Sequence, residues 1–172
     1  MTVTSVQKDP EALTLTIDAQ FDAPIERVWR LWDDPRQLEQ WWGPPAYPAT
    51  VSLLDLSVGG TMKYHMTGPQ GDQPHGWWRI LEVDRPRRLR FTSGFADETG
   101  EPNPHMPTML FEVQLSERSG GGTSMIVAIE FSSLDEMTQI MSMGMEEGIT
   151  LAMSQIDNIL AGSVGTSGGD SA

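Results

Sequence analysis

A chain of 172 residues without cysteine fits one domain, long enough to bury a substantial core without disulfides or a cysteine-held metal. Its 11 basic residues stand against 24 acidic ones, a formal charge of −13 that repels phosphate backbones and anionic lipid surfaces, so nucleic acid is not an expected partner. The first twenty residues lack a basic start followed by an apolar core, and no apolar run approaches the roughly 18 residues of a membrane span, so a cytoplasmic, soluble protein is expected.

Residues 1–11 show no clear period and read as an N-terminal extension. Residues 12–21 alternate, with Leu13, Leu15 and Ile17 on one side and Thr14, Thr16 and Asp18 on the other, the pattern of a half-buried strand. Pro24 suits a first helical position, and Val28, Trp29, Leu31 and Trp32 follow as an apolar stripe at helical spacing. Asp34 and Pro35 then cap and restart a second short helix whose apolar face is Leu38, Trp41 and Trp42, stopped by Gly43 and two prolines. Helices this short must lean on something else.

Six strand patterns follow. Residues 51–56 turn at Gly59 and Gly60 into TMKYHM, where Met62, Tyr64 and Met66 share a face. HGWWRILEV puts Trp78 and Ile80 together, and RLRFTSGF aligns Leu89, Phe91, Ser93 and Phe95. After a lid-like loop over 96–107, MLFEVQL aligns Met109, Phe111, Val113 and Leu115, and SMIVAIEF aligns Met125, Val127, Ile129 and Phe131 across a triple-glycine turn. From Leu134 the period changes to about 3.6, with Met137, Met141, Met145, Ile149, Ala152, Ile156 and Ile159 near one face, which predicts one long closing helix. Ser133 with Glu136 has capping-box spacing, and Gly162 ends the helix before a tail, 162–172, expected to be disordered.

This order predicts an α+β domain over 12–161, a curved antiparallel sheet of about seven strands gripping a long C-terminal helix. A sheet curved around one helix leaves space between them. The second short helix and the sheet nominate Trp41, Trp42, Met62, Tyr64, Trp78, Phe91, Phe95, Met109 and Phe111 as its lining. The closing helix adds Met141, Met145 and Ile149.

The segments FDAPIERVWRLWDDPRQLEQWWGP, DLSVGGTMKYHMTGPQG, HGWWRILEVDRPRRLRFTSGF and MEEGITLAMSQIDNIL together resemble the activator of Hsp-90 ATPase homologue-like branch of the START/Bet v 1-like (SRPBCC) superfamily. The resemblance spans roughly residues 12–161 and implies a helix-grip fold with a hydrophobic cavity between sheet and long helix. It also implies a superfamily that binds lipids, polyketides and other apolar molecules, while the same scaffold serves cyclases, hydrolases and co-chaperones. Many relatives carry Gly-Trp in the closing helix where this chain has Gly148 and Ile149, so a roomier cavity is expected. Its methionines Met137, Met141, Met143, Met145 and Met153 either pack the core or form an adaptable wall.

Catalytic signals are weak. His65, His75 and His105 show no metal-ligand spacing, no G-x-S-x-G surrounds Ser93, and the glycines at 120–122 join two strands and cradle no phosphate. Arg79, Arg85, Arg87, Arg88 and Arg90 read as the solvated outer face of a hairpin. The leading expectation is therefore a non-enzymatic protein that binds a small apolar or aromatic molecule, with no cofactor and no metal. A cyclase or hydrolase using His105 or Tyr64 is the alternative, and a co-chaperone-like role ranks last because no docking motif is evident. A homodimer through an exposed sheet edge or the Trp-rich helices is permitted, but no interface is specified.

Overall fold

The computed structural model describes residues 3–161, so the expected disordered tail lies outside the described residues. Eight antiparallel strands form one curved sheet: β1 (Val3–Asp9), β2 (Thr14–Phe21), β3 (Ala49–Leu54), β4 (Thr61–Met66), β5 (His75–Asp84), β6 (Arg88–Ala96), β7 (Met109–Glu117) and β8 (Thr123–Phe131). Their spatial order is β1-β2-β8-β7-β6-β5-β4-β3, so β2 closes onto β8 and only the β1 and β3 edges remain open. Alternation does the folding: β7 and β8 bury every second side chain, including Phe111, Val113, Val127 and Ile129, and turn the intervening polar residues outward. Register shifts at Val51/Leu53 and Ile80/Glu82 are bulges, which bend strands and tighten the twist of a sheet.

Within the expected N-terminal extension, Val3–Asp9 pair with β2 as an eighth strand. This edge strand is held by ladder hydrogen bonds and buries little, so no alternation marks it.

Between β2 and β3 run α1 (Ile25–Asp33) and α2 (Pro35–Trp41). Pro24 is the N-cap of α1, and Ile25, one residue later than expected, is the first helical residue. Asp34 accepts a hydrogen bond from the Arg36 N–H at 2.9 Å, with Pro35 in the first turn, as the Asp-Pro pair predicts. Trp32 and Trp41 are fully buried, ring centroids 4.8 Å apart, and lock the pair onto the sheet.

The closing helix is broken. α3 (Leu134–Ser142) begins on Ser133, whose hydroxyl accepts the Glu136 N–H at 3.1 Å. α4 (Met145–Ser154) follows after Gly144, which has φ 84° and serves as its N-cap, and helix resumes over residues 156–161. The left-handed conformation is open to glycine at little cost, and here it resets the helical phase. The expected stripe fails in two places. Leu134 is 55% exposed, and α3 buries Met137 and Ile140 in place of Met137 and Met141. Gln155, at the end of α4, donates to the Gly43 carbonyl at 2.7 Å and ties this helical arm to the loop after α2.

Four arginines of the basic cluster are ion-paired. Arg85 reaches across to Asp33 on α1 and lies over the Trp29 ring, which departs from the expected outer face, and the other three pair with glutamates of the sheet. Arg88 bonds Glu112 and Glu82, Arg90 bonds Glu82 at 2.9 Å, and Arg87 bonds Glu117 at 2.9 Å. Pairs this exposed contribute little stability each.

Candidate functional site: an apolar cavity under the broken helix

Where α3 gives way to α4, the helical arm and the sheet part to leave a cavity of about 240 Å³. Trp42 and Pro44 come to it from the end of α2, Tyr64 and Met66 from β4, Ser93 and Phe95 from β6, and Met109 and Phe111 from β7. The helical side supplies Ile140, Met143, Met145, Gly148 and Ile149. No charged side chain is among them.

Of the residues nominated from sequence, Trp42, Tyr64, Phe95, Met109, Phe111, Met145 and Ile149 stand on this wall. Trp41, Met62, Trp78 and Phe91 do not; each is fully buried in the core behind it. Trp78 stacks on Phe91 with centroids 3.9 Å apart, and Phe91 on Phe111 at 4.9 Å, so these rings form a solid floor. Met141 packs against the core edge, and Ile140, one residue before it in α3, takes the place on the cavity wall. The adjacent tryptophans thus divide: Trp41 donates its indole N–H to the Leu31 carbonyl at 2.9 Å and belongs to the core, whereas Trp42 faces the cavity.

Pro44, Met66, Ser93, Ile140, Met143 and Gly148 line the cavity without having been nominated. Met66 and Ser93 were already on the inward faces of their strands by alternation, so the signal existed. Gly148 needed the structure: a Cβ built there meets nothing within 4 Å, so its missing side chain opens directly into free space.

The polar atoms of this region are few. Four of the six indoles have partners: Trp29 with Asp33, Trp32 with the Met125 sulfur, Trp41 with Leu31, and Trp77 with the Phe95 carbonyl. The Nε1 atoms of Trp42 and Trp78 are buried with no partner among the described residues. The Tyr64 ring lies over Gly76, where a Cβ would stand 2.3 Å from its hydroxyl oxygen, so glycine there makes room for the phenol. Burial raises the Tyr64 pKa, with a smaller opposite pull from the nearby Trp42 indole, and the phenol stays protonated at neutral pH.

None of the three histidines lines the cavity. His65 and His75 pair across β4 and β5 with ring centroids 5.4 Å apart, and His105 sits in the loop after β6. That loop is organised by Asp97, whose carboxylate accepts hydrogen bonds from Thr99 and Glu101, and none of its residues reaches the cavity wall. Among the described residues no cluster of three or more histidine or acidic side chains is placed to hold a metal. A second depression, of about 580 Å³, lies between the start of α1 and residues 157–161, and its lining includes the charged side chains of Asp22, Arg27 and Asp157, which the first site lacks. No helix among the described residues is long and apolar enough to cross a membrane.

Comparison with solved structures places this architecture among close relatives. Protein Ms6760 from Mycobacterium smegmatis is 44% identical, with a TM-score of 0.85 over 92% of this chain and 96% of its own. A protein from Arthrobacter aurescens, solved by NMR in solution, is 46% identical, with a TM-score of 0.88 over 93% of this chain and 92% of its own. A protein from Silicibacter pomeroyi shares the fold at 22% identity and a TM-score of 0.69, over 86% of this chain and 97% of its own. No curated protein matches the sequence. The model of one family, described as activator of Hsp90 ATPase homolog 1-like protein, matches residues 22–161, from the last residues before α1 to the end of the helical arm that roofs the cavity. The chain belongs to that family.

Proposed function

We propose that this protein binds a small, neutral, apolar molecule in the cavity between the sheet and the broken C-terminal helix. One observation carries the reading: a half-open pocket of about 240 Å³ whose wall, among the described residues, is mainly aromatic, methionine and aliphatic and holds no charged side chain. Apolar surface left facing water is unfavourable, so an apolar molecule that covers this wall gains its burial together with dispersion contacts. The wall is also adaptable, because Met66, Met109, Met143 and Met145 are unbranched and can repack around differently shaped guests. Acid–base chemistry finds less support. Tyr64 is the one titratable side chain on the wall, and its burial keeps it protonated.

The test is a thermal-shift screen of neutral aromatic and polyketide-like compounds against the wild type and Gly148→Leu. A compound present at a hundredfold excess over its Kd stabilises by about 2.7 kcal/mol, a rise of roughly 5–10 °C in Tm for a domain of this size. The leucine projects into the open space beside Gly148, so the variant should keep its fold and lose the ligand-induced rise. A screen in which no compound raises Tm, or in which Gly148→Leu responds as strongly as the wild type, contradicts the proposal.

A further inference from the structure

We infer that the molecule bound in this cavity carries a neutral hydrogen-bond acceptor, a carbonyl oxygen, that receives the Ser93 hydroxyl from the inner face of β6. The inference rests on the binding role proposed above and adds the polar end of the ligand.

Ser93 is out of place by the logic of packing. Its neighbours on the inward face of β6 are Leu89, Phe91 and Phe95, and its cross-strand partners are Trp78 on β5 and Met109 on β7. Every one is apolar, and an alanine there would satisfy the core. Only two polar side chains are buried among the described residues, Ser93 at 3% exposed and Thr123 at 0%. Thr123 donates to the Ala23 carbonyl at 2.7 Å, as a buried hydroxyl should. The Ser93 hydroxyl has no protein partner among the described residues and lies on the cavity wall. The Ser93 oxygen is not among the buried polar atoms that lack a partner, so it is open to the cavity space and is placed to donate to whatever occupies that space.

The surroundings fix the chemical class. Beside Ser93 on the wall the protein offers a further donor, the protonated Tyr64 phenol, with the Trp42 ring against it. Among the described residues no carboxylate or imidazole lines the site, so a ligand cation would find no counter-charge there. No lysine or arginine lines it either, and the chain carries a formal charge of −13, so a ligand carboxylate is disfavoured. An uncharged acceptor on an apolar body satisfies all of these conditions.

The experiment uses two near-isosteric probes, 2-acetylnaphthalene and 2-isopropylnaphthalene, titrated by calorimetry into the full-length wild type and Ser93→Ala. Comparing each probe with itself across the two proteins cancels the difference in their hydrophobicity. The substitution should weaken the ketone about three- to tenfold and leave the hydrocarbon unchanged or slightly tighter. The carbonyl stretch of the bound ketone should lie below its value in hexane in the wild type and return towards it in Ser93→Ala. Equal effects of Ser93→Ala on both probes, or an unshifted carbonyl stretch, would overturn the inference and leave the binding role standing. Failure of both probes to bind the wild type contradicts the binding role and this inference with it.

Discussion

The two ends of the inner face of this sheet are built from the same residue types to opposite effect. At one end Trp32, Trp41, Trp78 and Phe91 are fully buried, ring against ring, under α1 and α2. At the other, Trp42, Tyr64, Phe95 and Phe111 bound open space beneath the junction of α3 and α4. Two backbone features separate them. The first end lies beneath two short continuous helices, whereas the second lies where glycine at 144 breaks the arm and glycine at 148 withholds a side chain. Aromatic content alone therefore does not tell a core from a cavity; the roof decides.

The largest expected effect lies in the packed end. Trp41→Ala removes a fully buried indole and its bond to Leu31, and should cost about 3–5 kcal/mol by chemical denaturation. Met143→Ala at the cavity rim, 54% exposed, should cost no more than about 0.5 kcal/mol. Comparable losses at the two positions would erase the distinction between the regions.

A middle-sized effect tests the break itself. Gly144 has φ 84° and nothing near its missing Cβ, so Gly144→Ala incurs backbone strain alone, roughly 1–2 kcal/mol. A loss well below 1 kcal/mol would mean that the arm can run through this point as one continuous helix, closing the cavity differently.

The smallest effect appears only in alkali. Because burial raises the Tyr64 pKa, the folded protein holds that proton more tightly than the unfolded chain does. The resulting stability is fully present below the unfolded value, near 10, and is lost as pH rises above it. Tyr64→Phe should therefore show a shallower decline in stability above about pH 10 than the wild type. Tyr47, raised by its bond to Asp72, contributes the same background to both proteins. Identical alkaline slopes would place the Tyr64 phenol in contact with water.

Much of this architecture was legible in the sequence because alternation and helical period report burial directly. The strands β2 to β8, the Asp34-Pro35 restart and the Ser133 cap all carry local chemical signatures. β1 does not, because an edge strand held by ladder hydrogen bonds has no buried face to write into its residues. The break in the closing helix was hidden by methionines that continue a helical stripe across Gly144, and within α3 it is Ile140, three residues after the buried Met137, that reaches the site in place of Met141, four after it. Trp41 and Trp42 differ by one residue at the end of a helix, where a turn of about 100° separates core from cavity and no pattern distinguishes them. Ser93 was placed on the inward face by alternation, but only the structure reveals that its hydroxyl lacks a protein partner.

The most direct measurement uses the methionines as reporters. With the methyl groups of all 11 methionines labelled with carbon-13, a titration with 2-acetylnaphthalene followed by NMR separates wall from core in one experiment. The account predicts saturable shifts at Met66, Met109, Met143 and Met145, which line the cavity, and none at the buried Met62, Met125 and Met153. Shifts absent from the first group, or spread evenly over both, would contradict the claim that this cavity is the binding site.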